Sequence, residues 1–334
     1  MTNPKDPQNM EQVLLDSPKQ FIDGIKAASN NSWNPPYPIE KIQWCGMGGS
    51  WMAGALLKEA NLLTVPLEIH RSYGLPNSVT DKTLVVASSF SGNTEETLSA
   101  YDEAKKRGLA LIGVASGGSL EEKCKNDGVP FLKIPVNPPT MQPRCGTGYF
   151  VGIFAQLLSR LGLAVPDAVN QIESLVAHLE TTKDEARKQG EELALQLVSS
   201  TPIIYSSIDY RYVARIWKIK INENSKTAAF WNYFPELNHN EMVGWTQPHG
   251  AFHVIILRDE KDHPSNLKRM EITSSVLQEK GIRVSMVAIE GGTKLERVFS
   301  TLLIGDWLSY RLALELQVDP SPVAMVEDFK KRLK

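Results

Sequence analysis

The feature that most constrains this chain is an alternation repeated along its length. Short apolar runs are each followed by a Gly- or Ser-rich turn and then by a helical stretch. Residues 42–45 run into Gly46-Met47-Gly48-Gly49-Ser50 and a helix through Leu57. Residues 83–87 run into Ser88-Ser89-Phe90-Ser91-Gly92-Asn93-Thr94 and a helix over 95–107. Residues 109–115 run into Ser116-Gly117-Gly118-Ser119 and another helix, and 67–70 and 131–134 read as further strands. Strands alternating with helices imply a parallel sheet covered on both faces, an α/β architecture.

The pattern restarts after a stretch rich in Glu, Lys and Gln over 166–197, whose spacing of Ile172, Val176 and Leu179 predicts a connecting helix. Strands are expected at 202–206, 252–258 and 284–289, and helices at 210–222, 267–280 and 299–316. The expected division is therefore an N-terminal helix and loop (1–38), a first α/β domain (39–165), a connecting helix (166–198), a second α/β domain (199–318) and a C-terminal helix (319–334). Within the first segment, 9–29 reads as one amphipathic helix, with Val13, Leu14, Phe21, Ile22 and Ile25 on one side.

With 36 basic and 38 acidic residues, the net charge of −2 provides no global field for nucleic acid or an anionic membrane surface. Any anion must be held by a local set of donors. No run of 18 apolar residues occurs, and residues 1–7 lack the apolar run of a signal peptide. Cys45, Cys124 and Cys145 are odd in number and widely spaced, which disfavours a disulfide framework or zinc knuckle and fits a reducing cytoplasm.

Residues 88–94 lie where open α/β sheets bind ligands, between a strand and the helix that follows it. Backbone N–H groups at a helix start favour an anion, and hydroxyls add neutral donors. Glu95 and Glu96 would oppose a phosphate there unless they point away, and a simple N-cap explains the same residues. The glycines of 46–50 let a backbone approach a ligand closely, or simply make a tight turn. They match neither a dinucleotide fingerprint, which Trp51 breaks, nor a P-loop, which needs Gly-Lys-Ser/Thr. His249 and His253 are four apart, but the strand that follows argues against a helical metal pair.

The Gly-Met-Gly-Gly-Ser turn together with Ser89-Phe90-Ser91-Gly92-Asn93-Thr94-Glu95-Glu96-Thr97 resembles the sugar isomerase (SIS) domain. Later blocks narrow the resemblance to the bifunctional phosphoglucose/phosphomannose isomerase family. They are Pro143-Arg144, Asn222-Glu223-Asn224-Ser225-Lys226, Phe234-Pro235-Glu236-Leu237-Asn238-His239-Asn240-Glu241, Asp319-Pro320-Ser321-Pro322-Val323 and Lys330. The resemblance implies two SIS-type subdomains, each a parallel sheet flanked by helices. It also implies a phosphorylated hexose as substrate, no cofactor or metal, and a homodimer in which His239 is contributed by the neighbouring subunit.

By the same resemblance, Glu223 would carry the proton between C1 and C2, and partial desolvation would raise its basicity for that task. His239 and Lys330 would assist ring opening, with Lys331 adjacent in register. Arg144 would stabilise the enediolate. Gly48, Gly49, Ser50, Ser89, Ser91 and Thr94 would hold the phosphate, with Ser321 near the substrate. Without the resemblance, Glu223, Lys330 and Arg144 read as solvated charges and His239 as a surface-loop histidine. Trp51, where the family has a small residue, and Cys145-Gly146-Thr147 after Pro143-Arg144 depart from the family pattern. Two other readings stand beside the isomerase. One is a non-catalytic sugar-phosphate-binding SIS regulator, for which residues 1–40 offer no room for a helix-turn-helix. The other is an SIS isomerase of another phosphosugar.

Overall fold

The computed structural model describes residues 3–333. The single helix expected over 9–29 is two, α1 (Met10–Leu15) and α2 (Lys19–Ala28). Pro18 separates them: it has no N–H to donate, and its ring disfavours helical backbone at Ser17. The chain forms two compact units, one of Leu15–Glu180 and one of Met1–Leu14 with Thr181–Lys334.

The first unit contains β1 (Lys41–Cys45), α3 (Met52–Glu59), β2 (Leu67–His70), β3 (Thr83–Ser88), α4 (Glu95–Lys106), β4 (Ala110–Ala115), α5 (Gly118–Asp127), β5 (Phe131–Lys133) and α6 (Thr147–Arg160). All strand pairs are parallel, in the order β2-β1-β3-β4-β5. β3 and β4 are buried at every position, so they read as continuous apolar runs rather than alternating ones. Val85, Ala87, Tyr101, Leu111, Leu120 and Cys124 pack together on one face. The chain moves outward from β1 to β2 in one direction and from β3 to β5 in the other. The topological switch point therefore lies between β1 and β3, where Cys45 pairs with Ala87 and the two turns open side by side.

α7 (Ala168–Leu197) is one continuous helix. The second unit contains β6 (Thr201–Ser207), α8 (Arg211–Ser225), β7 (Phe230–Phe234), α9 (Glu241–Gly244), β8 (Phe252–Arg258), α10 (Pro264–Glu279), β9 (Arg283–Ala288), α11 (Lys294–Glu315) and α12 (Ala324–Arg332). Its sheet is parallel in the order β7-β6-β8-β9. β7 was not legible in the sequence; as an edge strand with Phe230 exposed, Asn232 at its centre and only Phe234 buried, it shows neither a buried run nor alternation.

α11 begins five residues earlier than its apolar spacing predicts, because Thr293 and Glu296 form a capping box. Glu296 accepts from the N–H groups of Gly292 (2.7 Å) and Thr293 (3.2 Å), and Thr293 Oγ1 accepts from Glu296 N–H (3.1 Å). At the start of α8, Tyr210 donates to Asp259, and Arg297 Nε lies 3.0 Å from Asp259 and 3.1 Å from the Tyr210 hydroxyl. Burial, and then the bond to Asp259, push the Tyr210 phenol well above its usual range. α8 and α11 are fastened by Trp217 Nε1 to Thr301 O (2.9 Å) and by the Lys220–Asp306 ion pair. Asp6 caps α1 by accepting from Met10 and Glu11 N–H (2.8 and 2.9 Å). It also takes the Tyr310 hydroxyl (3.1 Å), which joins the first residues to α11.

Candidate active site

Ser50 lies at the centre of the switch-point crevice. Its hydroxyl, 4% exposed as a residue, accepts from Phe90 N–H (2.8 Å), while its carbonyl accepts from Ser88 Oγ (3.0 Å) and Trp44 Nε1 (2.9 Å). A hydroxyl that accepts still has its own proton to donate. Ser89 and Thr94 share a hydroxyl–hydroxyl bond of 2.9 Å, and Gly92 N–H donates to Ser89 Oγ at 3.0 Å. Asn93 Oδ1 accepts from Ser119 N–H and Oγ, both at 3.0 Å, which ties the turn to α5. Thr94, the N-cap of α4, makes no side-chain bond to the first-turn amides. That helix start, with Ser91 exposed beside it, is left open to an anion. The Glu95 carboxylate accepts the Tyr73 hydroxyl at 3.1 Å, which fixes where its negative charge sits.

Gly92 has φ 74°, and a Cβ there would strike the Gly117 carbonyl, so the turn accepts only glycine. A Cβ on Gly49 would lie 2.6 Å from Pro143 O and 3.0 Å from Arg144 N. This backbone-to-backbone approach places Arg144, 1% exposed in a 3₁₀ turn (Pro143–Cys145), beside the glycine-rich turn that holds Gly48 and Ser50. The structure thus brings Gly48, Gly49, Ser50, Ser89, Ser91, Thr94 and Arg144 together within one unit. Trp51 is 2% exposed and ends the 3₁₀ turn (Gly48–Trp51), with the Arg71 guanidinium 5.0 Å from its ring centroid. Sequence reading did not find Arg71, since one arginine after a four-residue strand has no pattern to mark it.

In the second unit the Asn222–Lys226 block is a set of anchors around Glu223. Asn222 Nδ2 donates to Thr227 O (2.8 Å), Asn224 Nδ2 to Ser309 Oγ (2.9 Å) and Ser225 Oγ to Ser309 O (2.9 Å). Lys226, left-handed at φ 58°, turns its ammonium onto the carbonyls of Glu223 (2.6 Å), Asn224 (3.1 Å) and Pro320 (3.0 Å). The helix C-terminus is thereby capped, and the 319–323 segment with buried Ser321 is held against it. Glu223, half-buried, lies in the last turn of α8, which runs to Ser225, three residues past the expected end at 222.

His239 ends a 3₁₀ turn (Glu236–His239) after β7 and is exposed. Its neighbours are fixed: Asn238 donates to Thr273 Oγ1 (3.0 Å), Asn240 to Glu236 (2.7 Å), and Glu241 accepts from Tyr205 and Asn232. Because β6 and β7 are parallel, α8 runs back between them. Its last turn lies at the amino-terminal end of the sheet, whereas His239 lies at the carboxyl end, about five residues of strand or 17 Å away. Glu223 and His239 of one chain are therefore not brought together. Lys330 lies on α12, none of whose residues is buried, and pairs with Glu327 at 2.8 Å.

Among the described residues no three His, Cys, Asp or Glu side chains cluster as a metal site would need. The three cysteines are buried, and none is in a disulfide. No helix of the described residues is long and apolar enough to cross a membrane.

Residues 186–333 match the family model described as the bacterial phospho-glucose isomerase C-terminal SIS domain. The C-terminal domain of glucosamine-fructose-6-phosphate aminotransferase from Francisella tularensis has a similar fold, with TM-score 0.71 at 16% identity over 94% of this chain and 98% of that one. Two parallel α/β units with a hydroxyl-lined crevice at one switch point define an SIS-domain protein. The bifunctional phosphoglucose/phosphomannose isomerase of Caldicellulosiruptor bescii is 37% identical over 338 residues, 97% of this chain and 98% of that protein. The chain belongs to the bifunctional phosphoglucose/phosphomannose isomerase family. A more distant relative, 29% identical over 97% of this chain and 96% of its own length, is the D-glucosamine-6-phosphate 4-epimerase of Sulfolobus acidocaldarius.

Proposed function

We propose that this protein is an aldose–ketose isomerase that interconverts glucose 6-phosphate and mannose 6-phosphate with fructose 6-phosphate through a cis-enediol, using no metal. The observation that carries this is the anchored end of α8, where Asn222, Asn224, Ser225 and Lys226 are spent on fixing the backbone that presents Glu223. A base that takes a proton from C2 and returns it to C1 must hold its position through the reaction, and such anchoring supplies that. Gly48, Gly49, Ser50, Ser89, Ser91 and Thr94 hold the phosphate against the open start of α4. Arg144 carries the charge that develops on the enediolate oxygens, keeping its own proton as it does so. His239 and Lys330 move the proton that opens the sugar ring.

The site is shared in a homodimer, with His239 reaching the site of the neighbouring copy. The separation of Glu223 and His239 along β7 within one chain supports this reading. Three cysteines outside any disulfide support a cytoplasmic setting.

The test is a coupled assay on the purified protein with glucose 6-phosphate and mannose 6-phosphate, with and without chelator. Turnover of both, unchanged by chelation, is expected. Loss on chelation would overturn the metal-free reaction, and binding without turnover would indicate a sensor. The epimerase relative gives a second reading substance, so glucosamine 6-phosphate belongs in the same assay. Its conversion to a C4 epimer, with no hexose isomerisation, would replace the proposal.

A further inference from the structure

The groups proposed to grip the phosphate are all neutral: hydroxyls of Ser50, Ser89, Ser91 and Thr94, and backbone amides. Two acidic residues, Glu95 and Glu96, occupy the first turn of the same helix. A phosphate dianion placed there gains from amide dipoles but meets negative charge close by. The segment after β2 offsets this.

His70 ends β2, and its carbonyl accepts from Gly46 N–H (3.2 Å), so Arg71 leaves the sheet beside the glycine-rich turn. Two residues later the Tyr73 hydroxyl donates to Glu95. Gly74 N–H then donates to Ser99 Oγ (3.0 Å), and Leu75 N–H to Glu103 (2.8 Å). The segment is thus pinned on one side to the turn after β1 and on the other to α4, the two elements that flank the crevice. Between the pins, the Arg71 guanidinium sits over the buried Trp51 ring at 5.0 Å. A planar, weakly hydrated cation on an aromatic face stays charged and loses little on ordering.

We propose that Arg71, seated on Trp51, supplies the fixed positive charge of the phosphate cradle and sets its preference for a dianionic phosphate ester. Trp51 is the positioning residue and Arg71 the specificity residue. This rests on the reading of residues 46–50 and 89–94 as the phosphate site.

The experiment measures binding of inorganic phosphate by calorimetry, and kcat and KM for glucose 6-phosphate, in Arg71→Gln, Arg71→Lys, Trp51→Leu, Arg71→Gln/Trp51→Leu and Thr94→Ala proteins. Removing one charge-assisted contact should weaken phosphate binding about tenfold or more and raise KM similarly, with kcat within about twofold. Trp51→Leu should shift KM in the same direction, and the double variant should be no weaker than Arg71→Gln, because the two act as a unit. Arg71→Lys should recover part of the loss, since Lys keeps the charge without the planar stack. If Thr94→Ala weakens phosphate binding and Arg71→Gln does not, this inference is overturned and the cradle stands. If neither variant changes it, both are overturned. If Arg71→Gln acts and Thr94→Ala does not, the charge serves another site and the inference fails as stated.

Discussion

Gly92 carries a constraint that no other residue type meets. Its φ of 74° and the Gly117 carbonyl in the way of a Cβ act together, so Gly92→Ala has to distort the turn that presents Ser89, Ser91 and Thr94. The left-handed conformation alone costs a non-glycine residue about 1–2 kcal/mol, and the contact adds to it. Thermal unfolding of Gly92→Ala should show a loss of at least that size, and phosphate binding should fall with it. His253 is the residue where pH enters stability. It is 2% exposed, with Nε2 2.8 Å from Ser285 Oγ, and burial first and Arg283 second hold its pKa below the ordinary value. The unfolded chain, with a normal histidine near 6.5, binds a proton that the folded one refuses. Stability should therefore be complete above that pH and decline as pH falls from about 7 to 5. Denaturant midpoints over that range, compared with those of His253→Asn, measure it; equal slopes for both proteins would exclude His253.

At the scale of elements, the end of α8 depends on α11. Ser309 accepts from both Asn224 and Ser225 while itself fully buried. Ser309→Ala removes the hydroxyl that Asn224 Nδ2 uses and should cost about 1–3 kcal/mol. Because these anchors hold the backbone of Glu223, kcat should fall more than KM rises, which steady-state kinetics on the folded variant resolves. Apolar runs disclosed elements more than burial did: β9, with no buried residue, was still read at 284–289. β3 and β4, buried throughout, stood out as apolar runs, while edge strand β7 did not. The break at Pro18 and the Thr293–Glu296 cap are local chemistry that apolar spacing overlooks, though each has a recognisable signature. The two turns at 46–50 and 88–94 were legible because each is a contiguous Gly- or Ser-rich run between a strand and a helix. Arg71 was not, because its meaning comes from Trp51, twenty positions away, and from a strand pairing that no local pattern shows.

For the whole molecule, the proposed sharing of a site between two copies predicts complementation. Glu223→Gln and His239→Ala proteins, each inactive alone, should regain activity when mixed and allowed to exchange subunits. Up to about a quarter of the wild-type rate is expected for random pairing, half the dimers being mixed and each holding one intact site. No recovery, with subunit exchange shown by a tag, would place both residues in one chain's site. The two sheets also differ in what their helix starts offer. α4 begins with no side chain on its first-turn amides, whereas α11 is capped by Thr293 and its own Glu296, and α10 by His263 Nδ1 accepting from Ser265 N–H. Two helix starts of the second unit are thus met by the chain's own side chains, where that of α4 is not. Repetition of the layout should therefore not double the capacity: in a calorimetric titration with fructose 6-phosphate the protein should be univalent, saturating at one sugar phosphate for each polypeptide.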